Sequence, residues 1–184
     1  MFVFVYGTLR NAYKEYRHLL DFQVPDVLDK YAVYRGLAKL SGYQMWSLGS
    51  YPGIFPVAPK EEGERFTVTG ELFSFEANVA DFLLATLDDY EGCHPLNALP
   101  HEYERATEIV FAVEEQDYVT SWIYRLTTRP SSTYPVISSG DYSTFLSGKK
   151  WTKRPNEYLN LANSKKTIYS LFDEGFIWKT KFLV

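Results

Sequence analysis

Two short segments carry residue types that could perform chemistry together. The first is a loop near the N-terminus, made of Tyr6, Gly7, Thr8 and Leu9. A buried strand that ends in a glycine and leads into a helix directs several backbone N–H groups toward one point, which suits an anion or a developing oxyanion. Glycine there lets a ligand approach the main chain closely. The loop is a candidate binding element, although an ordinary turn between a strand and a helix has the same pattern.

The second segment is a run of carboxylates, Asp88, Asp89 and Glu91, directly before Gly92. The run falls at the C-terminal end of a predicted helix, where the helix dipole and the neighbouring charges disfavour ionisation of another carboxylate. A buried Glu91 would therefore have a raised pKa, as proton abstraction near neutral pH requires. The alternative is an acidic helix end that faces solvent.

Two neighbouring residues have alternative interpretations. Arg105 could form a structural ion pair with Asp88 or Asp89, or it could reach a carboxylate of the substrate. Cys93 is a nucleophile by type, but its neighbour His94 is adjacent only in sequence, which is not a catalytic geometry. We therefore expect an ion pair for Arg105 and no catalytic role for Cys93.

These segments must be positioned by a sheet with a few helices. Apolar or alternating runs predict strands at 2–6, 31–40, 44–48, 66–75, 103–113 and 119–126, with 54–58 extended at an edge. Helices are predicted from Thr8 or Asn11 to about residue 22, from an N-cap at Asn78 to Gly92, and briefly at 141–146. The stripe of the second helix is predicted to be Val79, Phe82, Leu83, Thr86, Leu87 and Tyr90. Since regular βαβ alternation is absent from this pattern, we predict an α+β fold with a mixed, barrel-like sheet and flanking helices.

Composition narrows the classes of protein. The chain has 184 residues, of which 17% are aromatic, a composition that favours strands. Its net charge of −4 argues against a nucleic-acid binder, which usually carries a basic stripe. One cysteine allows no intramolecular disulfide, and one cysteine with three histidines cannot build a typical zinc site. We expect no signal peptide and no membrane span, hence a cytoplasmic protein.

Six motifs, in this order, resemble the gamma-glutamylcyclotransferase-like family, especially its gamma-glutamylamine cyclotransferase branch. They are FVYGTLR at 4–10, YPGI at 51–54, VTGELF at 68–73, LDDYEG at 87–92, YER at 103–105 and SGDY at 139–142. The resemblance covers about residues 2–145. It leads us to expect a cyclotransferase domain at 1–146 and a C-terminal extension at 147–184 that docks on it.

The resemblance implies an enzyme that forms 5-oxoproline when the α-amine of a gamma-glutamyl amine or peptide attacks its own γ-carbonyl. Glu91 would be the general acid and base, and backbone groups of Tyr6, Gly7, Thr8 and Leu9 would line the substrate pocket. Arg105, Tyr51 and Tyr103 would support that pocket from behind. The implied reaction uses no metal and no cofactor, and its partner is a small gamma-glutamyl substrate.

Two other hypotheses stay open at this point. The chain could be a related acyl-transfer enzyme with a different substrate, or a non-catalytic binding or interaction module on the same fold, because a fold does not fix a function. The leaving group of the substrate and the oligomeric state are not determined by the sequence.

Overall fold

The described part of the chain contains a closed barrel, a separate two-stranded sheet and three α-helices. The computed structural model of the chain describes residues 1–12, 24–49, 51–59, 61–62 and 64–148. Its strands are β1 Phe2–Val5, β2 Val33–Ser41, β3 Tyr43–Ser47, β4 Pro52–Pro56, β5 Thr67–Ser74, β6 Tyr103–Ala112 and β7 Asp117–Leu126. Its helices are α1 Val24–Tyr31, α2 Ala80–Glu91 and α3 Tyr142–Gly148, with a 3₁₀ turn at Ala77–Val79.

Five strands close a barrel in the order β1–β5–β2–β6–β7, and β3 with β4 forms a separate hairpin. The barrel closes where β1 runs parallel to β7, with Val3 opposite Trp122. The other barrel pairs are antiparallel, including the long β6–β7 hairpin from Tyr103↔Leu126 to Ala112↔Asp117. The predicted α+β class with a barrel-like sheet is therefore confirmed.

Strand β1 is buried on both faces, as its continuous apolar run predicts. Phe4 packs into one hydrophobic cluster of the barrel. Val3 and Val5 point the other way, into a cluster that also contains Leu83 and Leu87 of α2. Since successive side chains of a strand alternate between faces, this four-residue strand joins the barrel to the helix that ends at Glu91.

Helix α2 differs from the sequence prediction at its start and on its buried face. Its N-cap is Val79, without a side-chain hydrogen bond, so the predicted N-cap Asn78 is wrong and lies in the preceding 3₁₀ turn. Phe82, predicted to face the core, is 55% exposed and packs edge-on against Tyr31. The buried residues are Ala80, Leu83, Leu84, Leu87 and Asp88.

The end of α2 follows the prediction. Gly92 has the left-handed conformation, with φ of 71°, and its N–H bonds to the carbonyl oxygens of Asp88 and Asp89. A glycine adopts this conformation without the cost that a Cβ imposes. The chain can therefore turn sharply immediately after Glu91.

The predicted helix after the first loop falls mainly on residues 13–23, which lie outside the described residues. The described residues that follow contain α1 at Val24–Tyr31, which was not predicted from the sequence. Pro25 obscured it, yet proline is tolerated in the first turn, where the N–H has no helical acceptor. The predicted extension 147–184 lies outside the described residues apart from 147 and 148, so the division at 146 stays a prediction.

Among the described residues, no helix is long and apolar enough to cross a membrane.

Gly140 and Gly42 give a matched test of close backbone packing in this fold. Both have a positive φ, 64° at Gly140 and 81° at Gly42. A Cβ added at Gly140 would lie 1.9 Å from the carbonyl oxygen of Thr67, whereas a Cβ added at Gly42 would meet nothing within 4 Å. We expect Gly42→Ala to lower the free energy of unfolding by about 1–2 kcal/mol through backbone strain alone. Gly140→Ala should cost about 1–3 kcal/mol more, because the barrel must shift to admit the methyl group. Urea denaturation of both variants measures the difference, and equal losses would contradict the packing at Gly140.

Candidate active site

The loop after β1 is compact and lies against the start of β4. The N–H of Arg10 bonds to the carbonyl oxygen of Gly7 at 3.1 Å, which closes the turn. A Cβ added to Gly7 would lie 3.1 Å from Cγ of Pro52. Glycine at this position thus lets the loop pack closely against Pro52, and a Cβ would require a shift of a few tenths of an ångström.

Contacts of Thr8 and Leu9 dock the loop onto the end of α2. The hydroxyls of Thr8 and Tyr90 share a hydrogen bond of 3.0 Å. Leu9 is 4% exposed and belongs to the same hydrophobic cluster as Leu87. The side chain of Leu9 therefore packs in the core, and only its backbone can contribute to a pocket.

Glu91, the last residue of α2, is half-buried, and its charge affects three tyrosines. Burial raises the pKa of Tyr6 well above its usual value, and the charge of Glu91 raises it further. Burial is also the main cause of the raised pKa of Tyr51 and of Tyr103, and the charges of Glu91 and Glu102 add to it, with Glu102 contributing more than Glu91 at Tyr51. The charge of Glu91 thus contributes at all three tyrosines.

Each of these tyrosines is anchored through its hydroxyl group. Tyr6 donates to the carbonyl oxygen of Tyr124 at 2.8 Å, and Tyr103 donates to that of Pro52 at 2.9 Å. Tyr51 donates to the carboxylate of Glu102, with oxygen–oxygen distances of 3.0 and 3.2 Å. Tyrosine hydroxyls are protonated at neutral pH because their ordinary pKa is about 10, so all three act as hydrogen-bond donors to these partners. The raised pKa values extend this to more alkaline pH.

The carboxylates near the end of α2 have separate environments. Asp88 is 8% exposed, accepts a hydrogen bond from the hydroxyl of Tyr124 at 2.8 Å and pairs with Arg105 at 3.3 Å. Asp89 points outward, with a side chain 67% exposed. Asp88 is thus a structural acid and Asp89 a surface acid, whereas Glu91 is the one of the three whose charge reaches the tyrosine group.

The ion pair predicted for Arg105 forms with Asp88, and the guanidinium of Arg105 also lies 5.0 Å from the ring centroid of Trp122. A planar guanidinium suits such a stacked and paired position. Arg105 therefore braces β6 and β7 against the end of α2.

Cys93 lies next to this ion pair, in surroundings that disfavour a thiolate. Burial, followed by the charges of Asp88 and Glu91, raises the pKa of its thiol to about 12. A thiol in this state is a poor nucleophile at neutral pH, which agrees with the expectation that Cys93 is not catalytic. Among the residues described by the structure, no three His, Cys, Asp or Glu side chains gather as a metal site would require.

Sequence reasoning missed a buried charged cluster around Arg10. Arg10 is 4% exposed, and its Nε and Nη1 lie 3.3 Å from Glu71 and 2.7 Å from Asp141. Glu71 and Asp141 lie in the motifs VTGELF and SGDY, and their place in these motifs was the only sign in the sequence that they have a structural role. The cluster connects the loop to β5 and to the start of α3.

These features place the chain in a known family. A family model described as gamma-glutamyl cyclotransferase, AIG2-like, matches residues 3–144. The chain belongs to this family, as the sequence motifs predicted, and the family has a cyclotransferase-type fold and suggests a small-molecule substrate. The search of curated proteins gave no match to this chain.

Solved structures are similar to this chain in fold. The solution structure of an Arabidopsis thaliana protein has a TM-score of 0.50 and 17% identity, and covers 98% of this chain and 94% of its own. An uncharacterized Pyrococcus horikoshii protein has a TM-score of 0.48 and 15% identity, and the match covers 79% of this chain and 92% of that protein. The Escherichia coli protein ytfP has a TM-score of 0.45 and 25% identity, and the match covers 77% of this chain and 96% of that protein. The Arabidopsis likeness shows the fold alone.

The charged cluster predicts a specific dependence of stability on pH. Burial opposes ionisation of Asp141, but hydrogen bonds from Ser143 and Arg10 and the charge of Arg10 outweigh it and lower its pKa below the usual value near 4. Because the pKa of Asp141 is lower in the folded than in the unfolded state, its carboxylate stabilises the fold above about pH 4. This contribution is lost as the pH falls through the folded-state pKa. We expect Asp141→Asn to lower the free energy of unfolding at about pH 7 by roughly 1–3 kcal/mol.

Denaturation with urea at a series of pH values measures this effect. The difference between the wild type and Asp141→Asn should shrink in acid, while the exposed Glu62→Gln should differ little from the wild type throughout. A difference for Asp141→Asn that stays constant down to about pH 2 would contradict the charged contact.

Proposed function

We propose that the chain is a cyclotransferase that converts a gamma-glutamyl amine or peptide into 5-oxoproline and a free amine. The α-amine nitrogen of the glutamyl group attacks its own γ-carbonyl carbon. A new C–N bond closes a five-membered ring, and the original amide C–N bond breaks. Water is neither consumed nor formed, and no metal or cofactor is needed.

Glu91 is the proposed general acid and base. An α-amino group has a pKa of roughly 8, so the nucleophile is mostly protonated at neutral pH. One carboxylate can take that proton and later deliver it to the leaving nitrogen. The observation that carries the proposal is the hydrogen bond between Thr8 of the loop and Tyr90, the neighbour of Glu91, which ties the loop to the end of α2. The charge of Glu91, which contributes to the raised pKa of Tyr6, supports the same placement.

The loop Tyr6 to Leu9 is the proposed binding site for the reacting carbonyl. When the amine attacks, negative charge develops on the carbonyl oxygen, and backbone N–H donors fixed in place stabilise it. Loss of one such donor typically costs about 100- to 1,000-fold in rate. Ring closure is intramolecular, so the enzyme has mainly to hold the substrate in its reactive conformation.

The tyrosines and Arg105 have a supporting role in this proposal. Tyr51 and Tyr103 form an aromatic wall, with ring centroids 6.4 Å apart and hydroxyls that are already hydrogen-bonded. Arg105, through Asp88, holds the end of α2 against β6. These contacts support a fixed position for Glu91.

The proposed location is the cytoplasm. The chain has a single cysteine and so cannot form an internal disulfide, which fits a reducing compartment.

Glu91→Gln tests the proposed acid and base. The amide keeps the size of the side chain and removes its ability to take a proton, so 5-oxoproline formation should fall by at least about 100-fold. The assay uses purified protein with gamma-glutamyl amines and peptides and detects 5-oxoproline by mass spectrometry. The leaving group with the highest kcat/KM identifies the substrate class.

Asp89→Asn is the matched control, because Asp89 is two residues away, exposed and outside the tyrosine group. It should retain the wild-type rate within about threefold. A Glu91→Gln variant that keeps the wild-type rate would show that Glu91 is not the base. Equal losses in both variants would point to a general effect of negative charge.

A further inference from the structure

A buried carboxylate that the proposed mechanism does not use lies beneath the substrate-binding loop. Glu71, in β5, is 3% exposed and pairs across the sheet with Val5, the last residue of β1. A buried carboxylate costs several kcal/mol unless its oxygens are hydrogen-bonded or paired with a cation. The partners of Glu71 therefore show what its burial achieves.

Those partners are three consecutive residues that follow the loop. Oε1 of Glu71 accepts hydrogen bonds from Nε of Arg10 and from the N–H of Ala12, both at 3.3 Å. Oε2 accepts a short hydrogen bond from the N–H of Asn11. Both oxygens are engaged, so the chain leaving the loop cannot rotate without leaving a charge buried and unsatisfied.

The same cluster connects directly to the loop. The N–H of Arg10 closes the turn on Gly7, and its Nη1 reaches Asp141 at 2.7 Å and Ser143 at 3.2 Å. The loop is therefore fixed at its start by β1 and at its end by a buried network. Glu71 of the motif VTGELF and Asp141 of the motif SGDY both belong to this network. The proposed reaction gives neither motif a role.

We propose that Glu71 is a positioning residue, which fixes the loop Tyr6 to Leu9 relative to Glu91 through Arg10 and the N–H groups of Asn11 and Ala12. The inference rests on the proposed function. A displacement of about 1 Å at a reacting centre can cost about 100-fold in rate. A contact that matters only for stability would lower the folded fraction but leave the kcat of folded molecules unchanged.

Glu71→Gln in the full chain tests the positioning role, because the amide keeps the size but replaces one acceptor oxygen with a donor. We expect kcat to fall by about 10- to 100-fold and KM to change by less than about threefold. Amide hydrogen exchange at Asn11 and Ala12 should become at least about tenfold faster, while exchange in β6 and β7 stays unchanged. Gly42→Ala, destabilised outside the loop, should keep the wild-type kcat.

Glu71→Asp is a second variant that keeps the charge, in case Glu71→Gln does not fold. Its carboxylate is one methylene shorter and cannot reach all three donors, so its kcat and exchange rates should lie between those of wild type and Glu71→Gln. Unchanged exchange at Asn11 and Ala12, or loosened exchange with an unchanged kcat, would overturn the proposal.

The exchange measurement does not depend on turnover, so it separates this inference from the proposed function. A wild-type protein that makes no 5-oxoproline would refute the reaction. Amide exchange at Asn11 and Ala12 in Glu71→Gln would still show whether Glu71 fixes the chain that leaves the loop.

Discussion

Strands β1 and β5 approach each other closely because Gly70 has no side chain. A Cβ there would lie 2.5 Å from the ring of Phe4 and from the carbonyl oxygen of Val5. The close pairing sets Glu71 opposite Val5, at the point where β1 becomes the loop. Glu71 in turn accepts hydrogen bonds from Arg10 and from the N–H groups of Asn11 and Ala12, so the path of the chain leaving the loop and the burial of Arg10 both depend on this pairing.

The second constraint is the sorting of carboxylates by their surroundings. Asp88 and Glu71 are buried with hydrogen-bonded partners, Asp89 is exposed, and Glu91 is half-buried, with a charge that contributes to the raised pKa of three tyrosines. Acids of the same type thus have different tasks because desolvation and partners differ. Of the three carboxylates at the end of α2, Glu91 is the one to which the proposed function gives the role of acid and base.

Much of the fold could be predicted from local pattern. The apolar run of β1, the alternation in β6 and β7, and Gly92 as a helix stop are properties of short segments, and the structure agrees with them. The buried face of α2 was predicted less well, since Phe82 and Leu84 fit a helical period equally and only tertiary packing decides between them. Pro25 similarly hid α1, because a first-turn proline resembles a helix end.

The site was only partly predictable for the same reason. The loop and Glu91 were proposed as site residues from their motifs, and this stays a prediction, whereas the ion pair of Arg105 with Asp88 is confirmed. The burial of Arg10 with Glu71 and Asp141 was not predicted, because these residues are 61 and 131 positions apart from Arg10 along the chain. No local pattern reports contacts at that separation.

The origin of the product's atoms tests the central claim most directly. A gamma-glutamyl amide with a heavy-nitrogen label on its α-amine would be incubated with the protein in water enriched in heavy oxygen, and the products analysed by mass spectrometry. The account predicts 5-oxoproline that carries the nitrogen label in its ring and gains no heavy oxygen. Glutamate that contains heavy oxygen would show hydrolysis by water instead, and would contradict attack by the α-amine.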